Sequence, residues 1–175
     1  MVIAGVIPFL FLAGERRAIY RRRPEVRRDT AATEERDRSF DCWQRDWEAE
    51  SRGRWTFRLI PTVRPWVERQ HGEVDFFVTQ FLSGHGYYRA YLHRMGKVAD
   101  SDCLYCPGIA DTAEHTFFEC DRWHVQRAHL SAEIGAVATP DNIVGAMLQG
   151  EGNWDCVRHF AQAILRAKKV DLDRP

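Results

Sequence analysis

CLYCPGIADTAEHTFFEC, residues 103–120, gathers three of the chain's five cysteines and one histidine into a single short stretch. Cys103, Cys106, His115 and Cys120 follow the spacing C-x2-C-x8-H-x4-C, a set of four soft or borderline donors that suits tetrahedral zinc. A C-x2-C pair turns tightly enough to aim both thiolates at one ion, and Pro107 and Gly108 let the chain reverse after it. Asp111 or Thr112 is placed to cap a helix, with Glu114 three residues past Asp111 completing a capping-box pattern. His115 then falls in the first turn. Positions five apart on an α-helix point about 140° away from each other, so His115 and Cys120 meet at one ion only if the helix ends or bends at Cys120.

Spacing and order narrow the chemistry. A redox C-x-x-C pair needs no histidine and third cysteine downstream at ligand spacing, and four protein ligands leave no open position for a catalytic water. The expectation is a closed, structural zinc site. A zinc deaminase places its H-x-E before its P-C-x-x-C; here the cysteine pair comes first, so that class is excluded. An odd number of cysteines with three crowded together points to a reducing compartment rather than a secreted disulfide framework. The remaining two, Cys42 and Cys156, lie in helical patterns and read as buried thiols.

Outward from the knuckle the periodicity is helical. In HGEVDFFVTQFLSGHG, residues 71–86, Val74, Phe77, Val78, Phe81 and Leu82 fall on one face, and Gly84 and Gly86 then break the helix. A second helix is predicted over Tyr87 to Met95, stopped by Gly96, with Tyr88, Tyr91, Leu92 and Met95 on one stripe. Its other side carries Arg89, His93 and Arg94, with Lys97 just beyond; this is either a wet face over a core stripe or a nucleic-acid contact, since tyrosines beside arginines stack on bases and hold phosphates. After the knuckle, Trp123, Leu130 and Ile134 suggest a helix ending at Gly135. Thr139 and Pro140 make a helix start for Ile143, Val144, Met147 and Leu148. Asn153 is positioned to cap a last helix with Trp154, Val157, Phe160, Ile164 and Leu165 on one stripe.

Towards the amino terminus, Phe40, Trp43 and Trp47 mark one amphipathic helix between Thr33 and Glu50. WTFRLIP, residues 55–61, alternates apolar and polar residues and predicts a short extended segment stopped by Pro61 and Pro65. Residues 15–30 hold seven arginines against three acidic residues, a run that is either a solvated linker broken by Pro24 or a phosphate contact. MVIAGVIPFLFLAG, residues 1–14, fits neither a secretory signal, whose charges precede the apolar run, nor a membrane span of roughly 20 apolar residues. A buried helix or the cut edge of a larger domain is expected there.

Composition sets the remaining limits. At 175 residues and 45 % apolar content the chain can bury a true core, and its formal charge of zero leaves nucleic-acid affinity to local patches. Of the 25 basic residues only Lys97, Lys168 and Lys169 are lysines; the excess of arginine reflects either phosphate recognition or arginine-rich codon usage. The expected fold is mainly α, a small helical domain organised around a Cys-Cys-His-Cys zinc knuckle. Two regions are expected: residues 1–32 as apolar segment and Arg-rich linker, and residues 33–175 as the zinc-binding domain, with the knuckle at 103–120.

FLSGHGYYRAYLHRMGK (81–97), CLYCPGIADTAEHTFFECDRW (103–123) and TPDNIVGAMLQGEGNWD (139–155) together resemble the carboxy-terminal region of reverse transcriptases from non-LTR retrotransposons, especially the type-1 elements that insert into insect ribosomal DNA. VIAGVIPFLFLAGERRAIY (2–20) is similar to the segment joining that region to the polymerase. The resemblance assigns Cys103, Cys106, His115 and Cys120 as zinc ligands. It implies a multidomain Pol polyprotein whose endonuclease nicks DNA and whose polymerase copies element RNA there. The upstream polymerase and endonuclease domains, and RNA or DNA, are the implied partners, in the nucleus at the site of action and without a membrane. No Y/F-x-D-D box occurs, so no catalysis is expected of this chain itself. Met1 is expected to be either an internal residue of a longer polyprotein or the start of a decayed or domesticated fragment. Arg89, Arg94, Lys97 and Arg122 are the candidate phosphate contacts, with Tyr87, Tyr88 and Trp123 available for stacking. The competing expectation is a zinc-stabilised protein-interaction module.

Overall fold

The computed structural model describes residues 2–173. It is helical, and the described residues contain no strand longer than one isolated antiparallel bridge between Asp102 and Ala110. The chain divides into two compact units between Arg69 and Gln70.

The first unit is built on a helical hairpin. α1 (Phe9–Arg22) and α2 (Arg28–Ala49) pack on each other across the turn that holds Pro24. Their contact is ionic as well as apolar: Arg36 donates from Nε and Nη2 to the two carboxylate oxygens of buried Glu15 at 2.7 and 2.9 Å, and buried Glu35 accepts from Arg22 at 2.8 Å. The arginine run thus supplies charge partners inside this hairpin. The apolar run before it does not make a buried helix. Phe9 and Leu10 are about four-fifths exposed, because apolar residues at consecutive helical positions point all round the axis and only one side can face α2. No described helix is long and apolar enough to cross a membrane.

The WTFRLIP stretch is a helix rather than an extended segment. α3 (Arg54–Leu59) buries Thr56, Leu59 and Ile60, a spacing of three and one that belongs to a helix, while Trp55 and Phe57 are only half-buried. Gly53 enters it in the left-handed region at φ 65°, which lets the chain reverse out of α2. Pro65 sits in the first turn of α4 (Val63–Glu68), where its missing N–H costs nothing. Gln44 of α2 brackets the intervening turn, donating to Pro61 O at 2.8 Å and accepting from Val63 N at 2.9 Å.

The second unit carries the knuckle. α5 (Phe76–Ser83) starts where Asp75 accepts from the Phe77 and Val78 amides, later than the apolar pattern from Val74 implies. Val78, Phe81 and Leu82 are fully buried. The Gly-His-Gly that follows has a physical reason. Gly84 ends α5 at φ 68°, and at Gly86, φ 131°, a Cβ would lie 1.8 Å from Oε1 of Gln80, which accepts from the Tyr87 amide.

α6 (Arg89–Arg94) is shorter than expected; of its predicted stripe only Tyr88 is buried, and Met95 is exposed. α7 (His124–Glu133) ends before Gly135, as expected. α8 (Ile143–Leu148) begins after a turn at residues 139–142 rather than at Pro140. α9 (Glu151–Leu172) is the spine on which α5, α7 and α8 pack. Its buried stripe of Trp154, Val157, Phe160, Ala161, Ile164 and Leu165 contributes roughly 1.5–3 kcal/mol per large side chain. Asn153 does not cap α9: the helix has already begun at Glu151, and the Asn153 amide instead donates to the Ala146 carbonyl at the end of α8, which also accepts from the Gln149 amide.

Candidate metal centre

The knuckle is held in shape by its own backbone before any ion is considered. The Asp102–Ala110 bridge closes the loop, Cys103 N donates to Ile109 O at 2.8 Å and Ile109 N to Cys106 O at 3.1 Å. Asp102 accepts from the Gly108 amide, and Gly108 takes the turn at φ 78°. The C-x2-C segment therefore curls with both thiols inward.

The 140° problem between His115 and Cys120 is resolved by a π-turn. Residues His115–Glu119 are wound one residue wider than an α-helix, and Cys120 N donates to His115 O at 2.7 Å across five positions. Widening the turn sets residues five apart nearly above one another. Cys120 then leaves the helix with φ −57° and ψ 125°. The start of this segment is capped by Thr112, whose hydroxyl accepts from the His115 amide at 3.1 Å.

The four ligand atoms lie within 4.8 Å of one another. Cys120 Sγ is 3.8 Å from Cys103 Sγ and 3.7 Å from Cys106 Sγ. Two thiolates each about 2.3 Å from a tetrahedral ion are themselves about 3.8 Å apart. His115 is buried with neither ring nitrogen hydrogen-bonded, and Glu119 Oε2 is 3.5 Å from Nδ1. An orphaned imidazole in a cage of thiols is a donor awaiting an acceptor, so the residues fit a metal ion. Burial, with the neighbouring thiols, pushes the Cys120 thiol up to about 12. A cation bound among the donors is what would make that thiolate stable there. When bound, the ion supplies a cross-link between the C-x2-C turn and the π-turn; four protein donors leave it no site for substrate.

Asp111 is the group that sequence reasoning missed. It is one of the two cap candidates, and Thr112 takes that place. Instead its carboxylate is 1 % exposed and ties three elements together. It accepts from the Arg89 amide at 2.8 Å, so starting α6, from the Thr116 hydroxyl at 2.8 Å, and from Lys168 Nζ at 2.6 and 2.7 Å. Lys168, on α9, is itself buried. One signal was available: Lys168 follows Ile164 by four residues on an otherwise apolar stripe, and a lysine there needs a buried anion.

The candidate nucleic-acid contacts are dispersed. Arg94, Lys97 and Arg122 are exposed, and Arg122 lies over the Tyr105 and Trp123 rings at 5.4 and 4.8 Å. Arg89 is turned inward to Asp100 Oδ1 and Asp102 O at 2.6 and 2.7 Å. Tyr87 is half-buried beside Phe76, while Tyr88 and Trp123 are 0 and 2 % exposed and offer no open face to a base. Cys42 and Cys156 are half-buried rather than buried.

No family model and no solved structure matches the chain. Three relatives do. The chain is 28 % identical over 131 residues, 74 % of its length and 33 % of the relative's, to a Retrovirus-related Pol polyprotein from type-1 retrotransposable element R1 4 of Nasonia vitripennis. It is 30 % identical over 87 residues, 50 % of its length and 21 % of the relative's, to the corresponding polyprotein of element R1 2 from the same organism. With that of element R1 from Bradysia coprophila it shares 30 % over 84 residues, 48 % of this chain and 8 % of that one. The chain thus matches a third or less of the length of each of these relatives. A helical protein with a Cys3His cluster able to hold a metal, it resembles the Pol polyproteins of type-1 R1 retrotransposable elements.

Proposed function

We propose that this chain is the carboxy-terminal, nucleic-acid-binding part of a Pol polyprotein from an R1-type element, with zinc in the Cys103, Cys106, His115, Cys120 centre. On this proposal residues 1–32 join it to the polymerase side and residues 33–175 form the zinc-binding domain. It assists RNA or target-DNA binding in the nucleus while the polymerase copies element RNA at a nick. The observation that carries the reading is the similarity to three R1 polyproteins. The donor set supports zinc, because three thiolates and an imidazole suit that ion better than an oxygen-seeking one. The chain's own part is mechanical. The metal-clamped knuckle and the Asp111 hub hold α6 and the π-turn, and these present Arg94, Lys97 and Arg122 to phosphate. Arg89, with its guanidinium engaged by Asp100, is a positioning residue on this reading rather than a phosphate contact.

Retention of the metal-loaded chain on RNA and on DNA at low and moderate salt tests it. Binding is expected to weaken with salt, and each of Arg94→Ala, Lys97→Ala and Arg122→Ala to lower the logarithmic salt slope by about 1. Folded, metal-loaded protein that shows no salt-dependent retention refutes the nucleic-acid reading. The protein-interaction reading then takes its place, favoured by the exposure of Leu104, Tyr105 and Ile109 at the knuckle's rim.

A further inference from the structure

The Gly-His-Gly turn between α5 and α6 exposes one side chain, that of His85. Its backbone is fixed on both sides. Gly84 and Gly86 take positive φ, the His85 amide donates to Ser83 Oγ at 3.1 Å, and the Tyr87 amide donates to Gln80 Oε1 at 3.0 Å. A ligand that meets His85 therefore has no turn to order. The imidazole lies on the Tyr91 ring of α6, with centroids 4.7 Å apart and planes 25° from parallel. Tyr91, half-buried, covers one face of the imidazole; His85 is exposed, so its other face and its edge meet solvent. Arg94, one turn along α6 and also exposed, brings its guanidinium to 5.3 Å from the Tyr91 centroid. Burial first, and then the Arg94 charge, hold the His85 imidazole below its ordinary value, so the ring is neutral at neutral pH.

We infer that His85, backed by Tyr91, is a stacking platform for an unpaired base, and that the nucleic acid this chain takes is single-stranded, with Arg94 on an adjoining phosphate. The inference rests on the nucleic-acid role proposed above and extends it from phosphate to base. A flat ring with an open face beside a cation supplies the two contacts a nucleotide needs, one for its base and one for its phosphate. The other aromatic candidates are closed or poorly placed. Tyr88 and Trp123 lie in the core, and the partly exposed Tyr105 has its hydroxyl held by Asp171, a carboxylate that repels a phosphate chain. Inside a duplex both faces of a base are covered by its neighbours, whereas an unpaired base has a face to give. Every base has such a face, so the platform selects strandedness and not sequence.

The test measures binding of the full, metal-loaded chain to a short single-stranded RNA, the DNA of the same sequence, the matching duplex, and a single strand of the same length made abasic throughout. The single strands are expected to bind more tightly than the duplex. His85→Ala should weaken single-strand binding about fivefold or more and leave the salt slope unchanged, because no phosphate contact is lost. His85→Phe should retain the affinity. The abasic strand should bind the unaltered chain as weakly as the intact strand binds His85→Ala, and should not distinguish the two proteins. His85 is exposed, and circular dichroism with metal content verifies that both variants are folded. Salt-dependent binding that is indifferent to the bases and to His85 overturns the platform and leaves the phosphate reading standing. An equal loss on intact and abasic strands overturns it too, since the histidine then acts without a base. Absence of salt-dependent binding to every probe refutes the nucleic-acid role itself, and the platform with it.

Discussion

Replacing Asp111 with alanine should cost more stability than its size implies. The carboxylate is 1 % exposed and is the hydrogen-bonded partner of Lys168, whose side chain is itself 9 % exposed. Removing the anion leaves an ammonium group buried without its counter-charge. Breaking a buried pair from one side costs about 3–5 kcal/mol, because the remaining ion keeps its desolvation penalty. The same substitution strips the Arg89 amide and the Thr116 hydroxyl of their acceptor. Lys168→Met should cost less, since the carboxylate it leaves behind still accepts from that amide and hydroxyl. The double variant Asp111→Ala/Lys168→Met removes both charges and should recover part of the loss. Denaturant unfolding of the four proteins, at saturating metal, gives the cycle. An Asp111→Ala loss under about 1 kcal/mol, or a Lys168→Met loss that exceeds it, refutes this account of the hub.

Three further outcomes follow from the same geometry. Chelating the metal should lower helix content and the unfolding midpoint, and Cys106→Ser should mimic it, because an ion held by the four donors would cross-link the C-x2-C turn to the π-turn; an unchanged melting curve would remove the metal from the fold. Tyr88→Phe should leave stability unchanged or raise it by about 1 kcal/mol, since the Tyr88 hydroxyl is buried with no hydrogen-bond partner, and a loss above that in calorimetry argues against this burial. The hydrogen bond from Arg36 holds the Glu15 carboxyl below its ordinary value of 4.5, so its stabilisation is fully present above that value and is lost as pH falls through the lower folded one. The stability gap between the wild type and Glu15→Gln should therefore be constant near neutrality and shrink in acid, below the ordinary carboxylate value; a gap that widens in acid contradicts the sign.

Much of the helical scaffold was legible because its signals are local. The faces of α2, α5 and α9, the stop at Gly135 and the four-donor spacing all rest on residues a few positions apart. The failures have a common cause. WTFRLIP alternates by composition, yet the buried set is Thr56, Leu59 and Ile60, and a polar threonine inside is invisible to an apolar period. Asn153 looked like a cap for its own helix and serves the previous one, because its side chain reaches back to the Ala146 carbonyl at the end of α8. Tyr88 and Trp123 looked available for stacking and are core, while Arg89 looked free and is held by Asp100.

Taken alone, the sequence determined that the chain is helical and singled out Cys103, Cys106, His115 and Cys120 as a four-donor cluster able to hold a metal, because periodicity and ligand spacing are properties of near neighbours. Only the tertiary structure decided how His115 and Cys120 come to face one point, since that depends on a single widened turn. It alone paired Asp111 with Lys168, fifty-seven residues apart, and sorted the arginines and aromatics into buried and exposed. A buried charge chooses its partner by distance and desolvation in three dimensions, and neither quantity is written along the chain.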